Sequence, residues 1–150
     1  DDMANITVTC TDNIKSRLDL WNVLKAVPAS NYRDYETPLY WMDFGNTKTA
    51  GQVVLGTVPK KIKQPVSTMY ETVGSLKVIT RFVKYARVKE VDSGPSCSLA
   101  EALEKQDLFI NSTLAQLGCN ILWKMFRHGM IEHHGLYLNL ATMKVNPIMV

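Results

Sequence analysis

Two patterns of secondary structure meet within one short stretch, Asn5-Ile-Thr-Val-Thr-Cys-Thr-Asp-Asn-Ile-Lys-Ser-Arg17. In its first half, apolar residues alternate with threonines, which is typical of a β-strand. Apolar residues then recur every three or four positions, the spacing of an amphipathic α-helix. These later residues are Ile14, Leu18, Trp21 and Leu24. The stretch therefore predicts a strand that leads directly into a helix, as at the beginning of an α/β unit.

Asp12 and Asn13 lie where these two predicted elements meet, at the carboxyl end of the strand. In α/β sheets ligands bind at this position, because the N–H groups and the dipole of the helix converge there. Asp12 can cap the helix, since aspartate is among the favoured N-cap residues. It can also hold a divalent metal beside a nucleotide triphosphate, since Mg²⁺ commonly takes one or two carboxylates from the protein. The two roles are compatible, and both stay open.

A resemblance to a known family rests on this junction and on two later segments. The segment Thr9-Cys-Thr-Asp-Asn-x-x-x-Arg17 resembles a motif of the ThiF/MoeB/HesA superfamily, the ubiquitin-activating-enzyme-like adenylyltransferases. The first later segment resembles the next pair of strands of that family and consists of Pro38-Leu-Tyr-Trp-Met-Asp-Phe-Gly-Asn46 with Gly51-Gln-Val-Val-Leu55. The second resembles the PRTRC-system ThiF subgroup of that family and consists of Pro95-Ser-Cys-Ser98 with Glu101-Ala-Leu-Glu-Lys-Gln106. Together the matches span most of the chain.

The resemblance implies a function and a set of site residues. Asp12 would ligate Mg²⁺ and ATP, with Asn13 and Arg17 in supporting places at the nucleotide site. The reaction would be ATP-dependent adenylation of the C-terminal carboxylate of a ubiquitin-like or sulfur-carrier protein, by an enzyme that forms a homodimer. The fold implied is a Rossmann-like mixed sheet, the C-terminal portion of the ThiF/MoeB-type activating-enzyme fold, with one parallel strand followed by several antiparallel strands.

The glycine-rich turn that grips phosphates in dinucleotide-binding folds, G-x-G-x-x-G, does not occur in this sequence. In the family that it resembles, the phosphate-binding residues lie in the first half of the domain. We therefore expect the chain to be the C-terminal half to two-thirds of a longer enzyme. The alternative from a different class is a non-catalytic module that dimerises and binds a carrier protein without using ATP.

The pattern along the chain predicts one domain with three regions. Residues 1–58 should form the strand, a helix over 14–26 that ends before Pro28, and an antiparallel hairpin of strands over 39–45 and 52–58. By resemblance, residues 59–96 form a crossover loop, either an ordered lid or a segment that orders only with a partner. Residues 97–150 should form a helix of about eight turns and two terminal strands over 136–140 and 143–147.

Several features of these regions make more local predictions. Ser98 and Glu101 have the spacing of a capping box at the start of the long helix, and Gly129 is expected to end it. The aromatic residues of the first hairpin are expected in the core or at a dimer contact rather than as a base-stacking platform. Asp43, which lies among them, either forms hydrogen bonds in the site or faces solvent.

Cys97 is the thiol that the sequence singles out, because it precedes a predicted helix start where the dipole favours thiolate. Relatives of the superfamily use a cysteine to form a thioester or persulfide with the activated carrier, so Cys97 is a candidate catalytic nucleophile. A buried structural thiol is the competing interpretation. Cys10 and Cys119 are expected to be small core residues.

The remaining features argue against several classes of function. The segment with His128, His133 and His134 could bind a metal, but a solvated loop between helix and strand is the stronger interpretation. Three cysteines without a C-x-x-C pair predict neither a disulfide framework nor a structural zinc. A net charge of +3 does not indicate nucleic-acid binding, and no apolar run is long enough to span a membrane. We therefore expect no membrane partner and a cytoplasmic location.

Overall fold

The computed structural model describes residues 4–27, 37–58, 62, 64, 66, 73–85, 106–129 and 131–150. Among these residues, five strands form one mixed sheet in the order β1-β2-β3-β4-β5, and two α-helices accompany it. In chain order the elements are β1 Ile6–Thr9, α1 Ile14–Ala26, β2 Tyr40–Asn46, β3 Ala50–Thr57, a 3₁₀ turn Ile79–Arg81, α2 Ile110–His128, β4 His133–Asn139 and β5 Lys144–Met149. The structure confirms the predicted α/β class with a mixed sheet.

The first three elements form a β-α-β unit. β1 pairs in parallel with β2, and Thr9 at the end of β1 lies opposite Asp43. A parallel pair needs a crossover connection, and α1 lies within that connection. The bounds of α1 agree with the prediction, and its backbone becomes extended at Val27. The opening stretch therefore folds as its change of period predicts.

The other strand pairs are antiparallel, as predicted. β2 and β3 form the first hairpin, and the strands begin and end within two residues of the predicted positions. The terminal hairpin is also confirmed, but β4 begins at His133, three residues earlier than predicted. β3 therefore lies at the centre of the sheet, between β2 and β4.

The sheet is covered on both faces, and β2 is therefore buried on both sides. Tyr40 and Met42 point toward α2, in a core that also contains Val53, Leu55 and Ile121. The helix comes very close to the sheet at Gly118, where an added Cβ would lie 2.3 Å from Cζ of Phe44. The aromatic residues of β2 therefore pack in the core, as predicted.

The opposite face of the sheet carries α1 and residues 79–85, whereas Val73 and Leu76 belong to the core on the α2 side. Trp41 and Val54 of the sheet pack there against Leu24 of α1 and against Ile79 and Val83. The rings of Trp21 and Trp41 stack with centroids 5.7 Å apart. Of the predicted crossover loop, the described residues 73–85 thus pack against the sheet and include the 3₁₀ turn Ile79–Arg81.

The prediction for the start of the long helix was wrong. α2 begins at Ile110, because Asp107 turns the chain there: its carboxylate accepts a hydrogen bond from the N–H of Phe109 at 3.0 Å. The N–H of Asp107 in turn donates to the carbonyl of Lys48, 2.7 Å away in the first hairpin. The predicted capping box at residues 98 and 101 lies outside the described residues. Gly129 ends the helix in the left-handed conformation (φ 67°), as predicted.

The predictions for two cysteines and two histidines were also wrong. Cys10 lies just past the end of β1 and Cys119 lies on the outer side of α2, and both are exposed. His133 and His134 belong to β4 rather than to a solvated loop, and His134 is 1% exposed. None of the described helices is long and apolar enough to cross a membrane.

Candidate functional site at the junction of β1 and α1

The junction between β1 and α1 presents an exposed carboxylate, that of Asp12. Asp12 is not the helix cap, so the N-cap prediction for this residue was wrong. Asn13 is the cap: its backbone is extended, and its Oδ1 accepts a hydrogen bond from the N–H of Ser16 at 2.7 Å. Because Asn13 serves the helix end, the carboxylate of Asp12 remains available at the amino end of α1.

Directly beneath the junction lies a buried carboxylate, that of Asp43 on β2, which is 0% exposed. Three side chains from different parts of the chain donate hydrogen bonds to it. The hydroxyl of Thr9 lies 2.6 Å from Oδ1, Nε of Arg17 lies 3.0 and 3.1 Å from the two oxygens, and the hydroxyl of Tyr85 lies 2.7 Å from Oδ2. A buried carboxylate that accepts this many hydrogen bonds, two of them from a cation, is well satisfied.

Arg17 is the buried cation of this cluster. It lies one turn into α1, and its guanidinium reaches past the end of the helix to the sheet, where Nη2 also donates to the carbonyl of Phe44 at 2.8 Å. The residue is 8% exposed. Arg17 therefore lies beneath the junction, where it connects α1 to β2.

Aromatic side chains close the cluster from the α1 side. The ring of Trp41 lies 6.3 Å from that of Tyr85, and its indole N–H donates to the hydroxyl of Thr9 at 2.8 Å. Burial, together with the negative charge of Asp43, raises the pKa of Tyr85 well above its usual range. The phenol therefore keeps its proton at neutral pH and acts as a donor to Asp43.

The structure thus places two of the predicted site residues, Asp12 and Asn13, at the exposed junction and the third, Arg17, beneath it. Cys97 lies outside the described residues. Asp43, which the sequence left unassigned, is the centre of the buried cluster, with Thr9 and Tyr85 as its unpredicted partners. The one signal in the sequence was a charged residue within a strand of apolar and aromatic residues, where an unpaired charge is very costly.

The residues at the junction fit Mg²⁺ that is shared with a nucleotide better than a metal held by the protein alone. Among the described residues, no three His, Cys, Asp or Glu side chains come together as a metal site. Mg²⁺ needs only one or two carboxylates when phosphate oxygens and water complete its octahedron. An exposed Asp12 beside the amino end of a helix suits that arrangement, because the helix end also favours the phosphates.

The histidines do not form part of this site. His134 lies in β4, where Nδ1 donates to the carbonyl of Leu55 at 3.0 Å and the ring packs against Phe82 with centroids 4.8 Å apart. Burial lowers the pKa of His134, an effect that Lys77 reinforces and the hydrogen bond to Leu55 opposes. His128 ends α2 with an exposed side chain. The possible metal role of this segment finds no set of ligands among the described residues.

The outer side of α2 is the other surface with an unusual composition. From Ile110 to Trp123 the helix contains no charged residue, and Trp123 and Phe126 are 63% and 67% exposed. Exposed aromatic side chains that lie together on one surface are typical of an interaction site. This surface lies across the sheet from the junction at Asp12.

Comparison with known proteins adds no relative from which a function could be transferred. No protein-family model matches the chain, and no curated protein matches it significantly.

Proposed function

We propose that the chain is part of an ATP-dependent adenylyltransferase that activates the C-terminal carboxylate of a ubiquitin-like or sulfur-carrier protein. One observation carries the proposal. Asp12 presents an exposed carboxylate at the carboxyl end of a parallel strand and the amino end of the following helix, and Asn13 leaves it free of the capping role. The order of the motifs along the sequence supports the same family.

The proposed reaction joins the carrier to AMP. An oxygen of the carrier's C-terminal carboxylate attacks the α-phosphorus of ATP, the bond between the α-phosphorus and its bridging oxygen breaks, and pyrophosphate leaves. Mg²⁺ supplies neutralisation of the charge on the phosphates when it is bound. Asp12 would hold that ion from the protein side, and the amino end of α1 favours the negative phosphates beside it. Arg17 and Asp43 keep α1 in place against the sheet.

The test of this function is the exchange of labelled pyrophosphate into ATP, with the full-length protein and a candidate carrier. Asp12→Asn should reduce exchange by at least about a hundredfold, because loss of a direct ligand should exceed the roughly 10–100-fold that loss of a ligand's hydrogen-bond partner typically costs. Asp19→Asn is the matched control, because Asp19 is an exposed carboxylate on the same helix that pairs with Lys15. Exchange that persists in Asp12→Asn at the level of the control would overturn the assignment of Mg²⁺ to Asp12.

Cys97 has a proposed role in a second step, which follows from the resemblance. Its thiolate would attack the carbonyl carbon of the acyl-adenylate, a thioester would form, and AMP would leave. A carrier adduct that is cleaved by thiols and lost in Cys97→Ser supports this role. Cys10→Ser and Cys119→Ser are the controls, because both replace exposed thiols. If Cys97→Ser retains the adduct, the thiol is structural.

The candidate function from another class is an interaction module that pairs with a second copy of the chain, and the outer side of α2 favours it. In a dimer with twofold symmetry, a residue near the symmetry axis lies next to the same residue of the other copy, so a charged residue there would repel its counterpart. The run from Ile110 to Trp123 contains no charged residue. If α2 forms this contact, Trp123→Glu should turn a dimer into a monomer in sedimentation equilibrium, and a parent protein that is monomeric at all concentrations would exclude it.

A further inference from the structure

The turn that carries Asp12 is attached at both of its ends to one side chain. Thr9, the last residue of β1, precedes the turn, and its hydroxyl donates to Asp43 at 2.6 Å. Arg17, in the first part of α1, follows the turn, and its Nε donates to both oxygens of the same carboxylate at 3.0 and 3.1 Å. Asp43 itself comes from β2, a different part of the chain.

Asp43 is more deeply buried than the turn above it. Its backbone lies in β2, between Thr9 of β1 and Val54 of β3 in the sheet register, and its side chain is 0% exposed. Asp12 and its neighbours Cys10 and Asn13 are exposed. Besides the pairing of β1 with β2 and the packing of α1 on the sheet, the side chains of Thr9 and Arg17 connect this buried carboxylate to the exposed turn.

The third donor to the carboxylate has a different origin. Tyr85 approaches Oδ2 of Asp43 from the segment 73–85. It does not adjoin the Asp12 turn in the sequence, and its hydrogen bond to Asp43 does not involve that turn. The hydroxyls of Thr9 and Tyr85 thus each provide one short hydrogen bond to the same carboxylate, but only Thr9 adjoins the turn. This difference makes it possible to separate the stability of the cluster from the position of Asp12.

We propose that Asp43 is a positioning residue for the metal ligand Asp12: through Thr9 and Arg17 it fixes both ends of the turn and so the place of the Asp12 carboxylate. The inference rests on the proposed function of Asp12. Groups that orient a metal ligand from behind typically change metal affinity by about 10–100-fold when they are removed. Asp43 has that relationship to Asp12 by way of the backbone rather than by a direct hydrogen bond.

The test measures the Mg²⁺ concentration that gives half-maximal ATP binding to the full-length protein, by titration calorimetry. Thr9→Val removes the hydroxyl that donates to Asp43 and accepts from the indole N–H of Trp41, at nearly constant volume, and it should raise this concentration about tenfold. Thr9→Ser retains the hydroxyl and should restore the parent value. Tyr85→Phe also removes one hydrogen bond to Asp43, but it leaves the turn attached. The Mg²⁺ concentration for half-maximal ATP binding should therefore change by less than about twofold, well below the roughly 10–100-fold expected when a positioning group is lost. These variants avoid Asp43→Asn, which leaves the buried charge of Arg17 unpaired and can prevent folding.

The outcomes separate the inference from the function on which it rests. If Asp12→Asn abolishes Mg²⁺-dependent ATP binding while Thr9→Val and Tyr85→Phe shift it equally, or not at all, then the positioning role is wrong and the metal assignment stands. If Asp12→Asn leaves Mg²⁺-dependent binding unchanged, the metal assignment is wrong and the positioning role falls with it. A shift in Thr9→Val that Thr9→Ser reverses and Tyr85→Phe does not share supports both.

Discussion

Arg17 and Asp43 form an ion pair inside the protein: Nε lies 3.0 Å from Oδ1, and the side chains are 10% and 0% exposed. Lys15 and Asp19, on the solvent side of the same helix, form a pair at 2.7 Å with side chains that are 85% and 58% exposed. The two pairs have similar geometry but opposite surroundings. Water screens the exposed pair of Lys15 and Asp19 but cannot reach the buried pair of Arg17 and Asp43. Loss of the buried pair should therefore lower the free energy of unfolding far more than loss of the exposed pair.

Arg17→Met should lower the free energy of unfolding by about 3–5 kcal/mol, because it leaves the buried charge of Asp43 without a cation. Urea unfolding measures the change. Lys15→Met is the control on the same helix, and its effect should be far smaller, since its pair is exposed. A loss in Arg17→Met below about 1 kcal/mol, the size expected of an exposed pair, would contradict the buried ion pair.

Asn13→Ala should destabilise the protein by about 1 kcal/mol, because the first turn of α1 loses the oxygen that accepts from the N–H of Ser16. Asp12→Ala, one residue earlier, should change stability much less, since its side chain does not cap the helix. Denaturant unfolding of the two variants side by side checks the assignment. If Asp12→Ala is the more destabilising of the two, Asp12 rather than Asn13 is the cap.

His134 should make stability depend on pH. Its pKa is lowered in the folded protein, chiefly by burial, so the unfolded chain binds a proton first as the pH falls below about 6.5, the usual value for histidine. The free energy of unfolding should therefore fall as the pH falls from about 7 toward the lowered pKa of the folded state, and it should be unaffected by this group above about 7.

The measurement is the difference in unfolding free energy between pH 7 and pH 5.5, for the parent and for His134→Gln. This variant keeps a side-chain donor for the carbonyl of Leu55 and should reduce the difference. Equal pH dependence in the two proteins would show that His134 does not titrate differently in the folded and unfolded states.

Gly118→Ala should destabilise the protein by about 1–3 kcal/mol, although alanine usually favours a helix over glycine by about 1 kcal/mol. The added Cβ would lie 2.3 Å from Cζ of Phe44, so the ring or the helix must move. Phe44→Leu in the same background should recover part of the loss, since leucine lacks the ring atoms in that contact. Thermal unfolding of the single and double variants measures this coupling, and additive effects would contradict the contact.

The sequence alone determined the elements whose causes are local. The change of period between Thr9 and Ile14 predicts β1 and α1, because side-chain alternation and helical spacing are properties of a few neighbouring residues. The two antiparallel hairpins and the end of α2 at Gly129 follow from the same kind of information. In these segments the intrinsic propensities of the residues and their burial in the fold favour the same secondary structure, so tertiary packing did not change the local preference.

Only the tertiary structure decided what lies beneath the junction. Asp43 is 26 residues from Arg17, 34 from Thr9 and 42 from Tyr85, and no pattern along the chain connects them. The same holds for His134, whose partner Leu55 is 79 residues away. Burial of a polar side chain depends on donors and acceptors that the fold brings from elsewhere, so the sequence could predict the exposed carboxylate of Asp12 but not the buried one that we propose holds it in place.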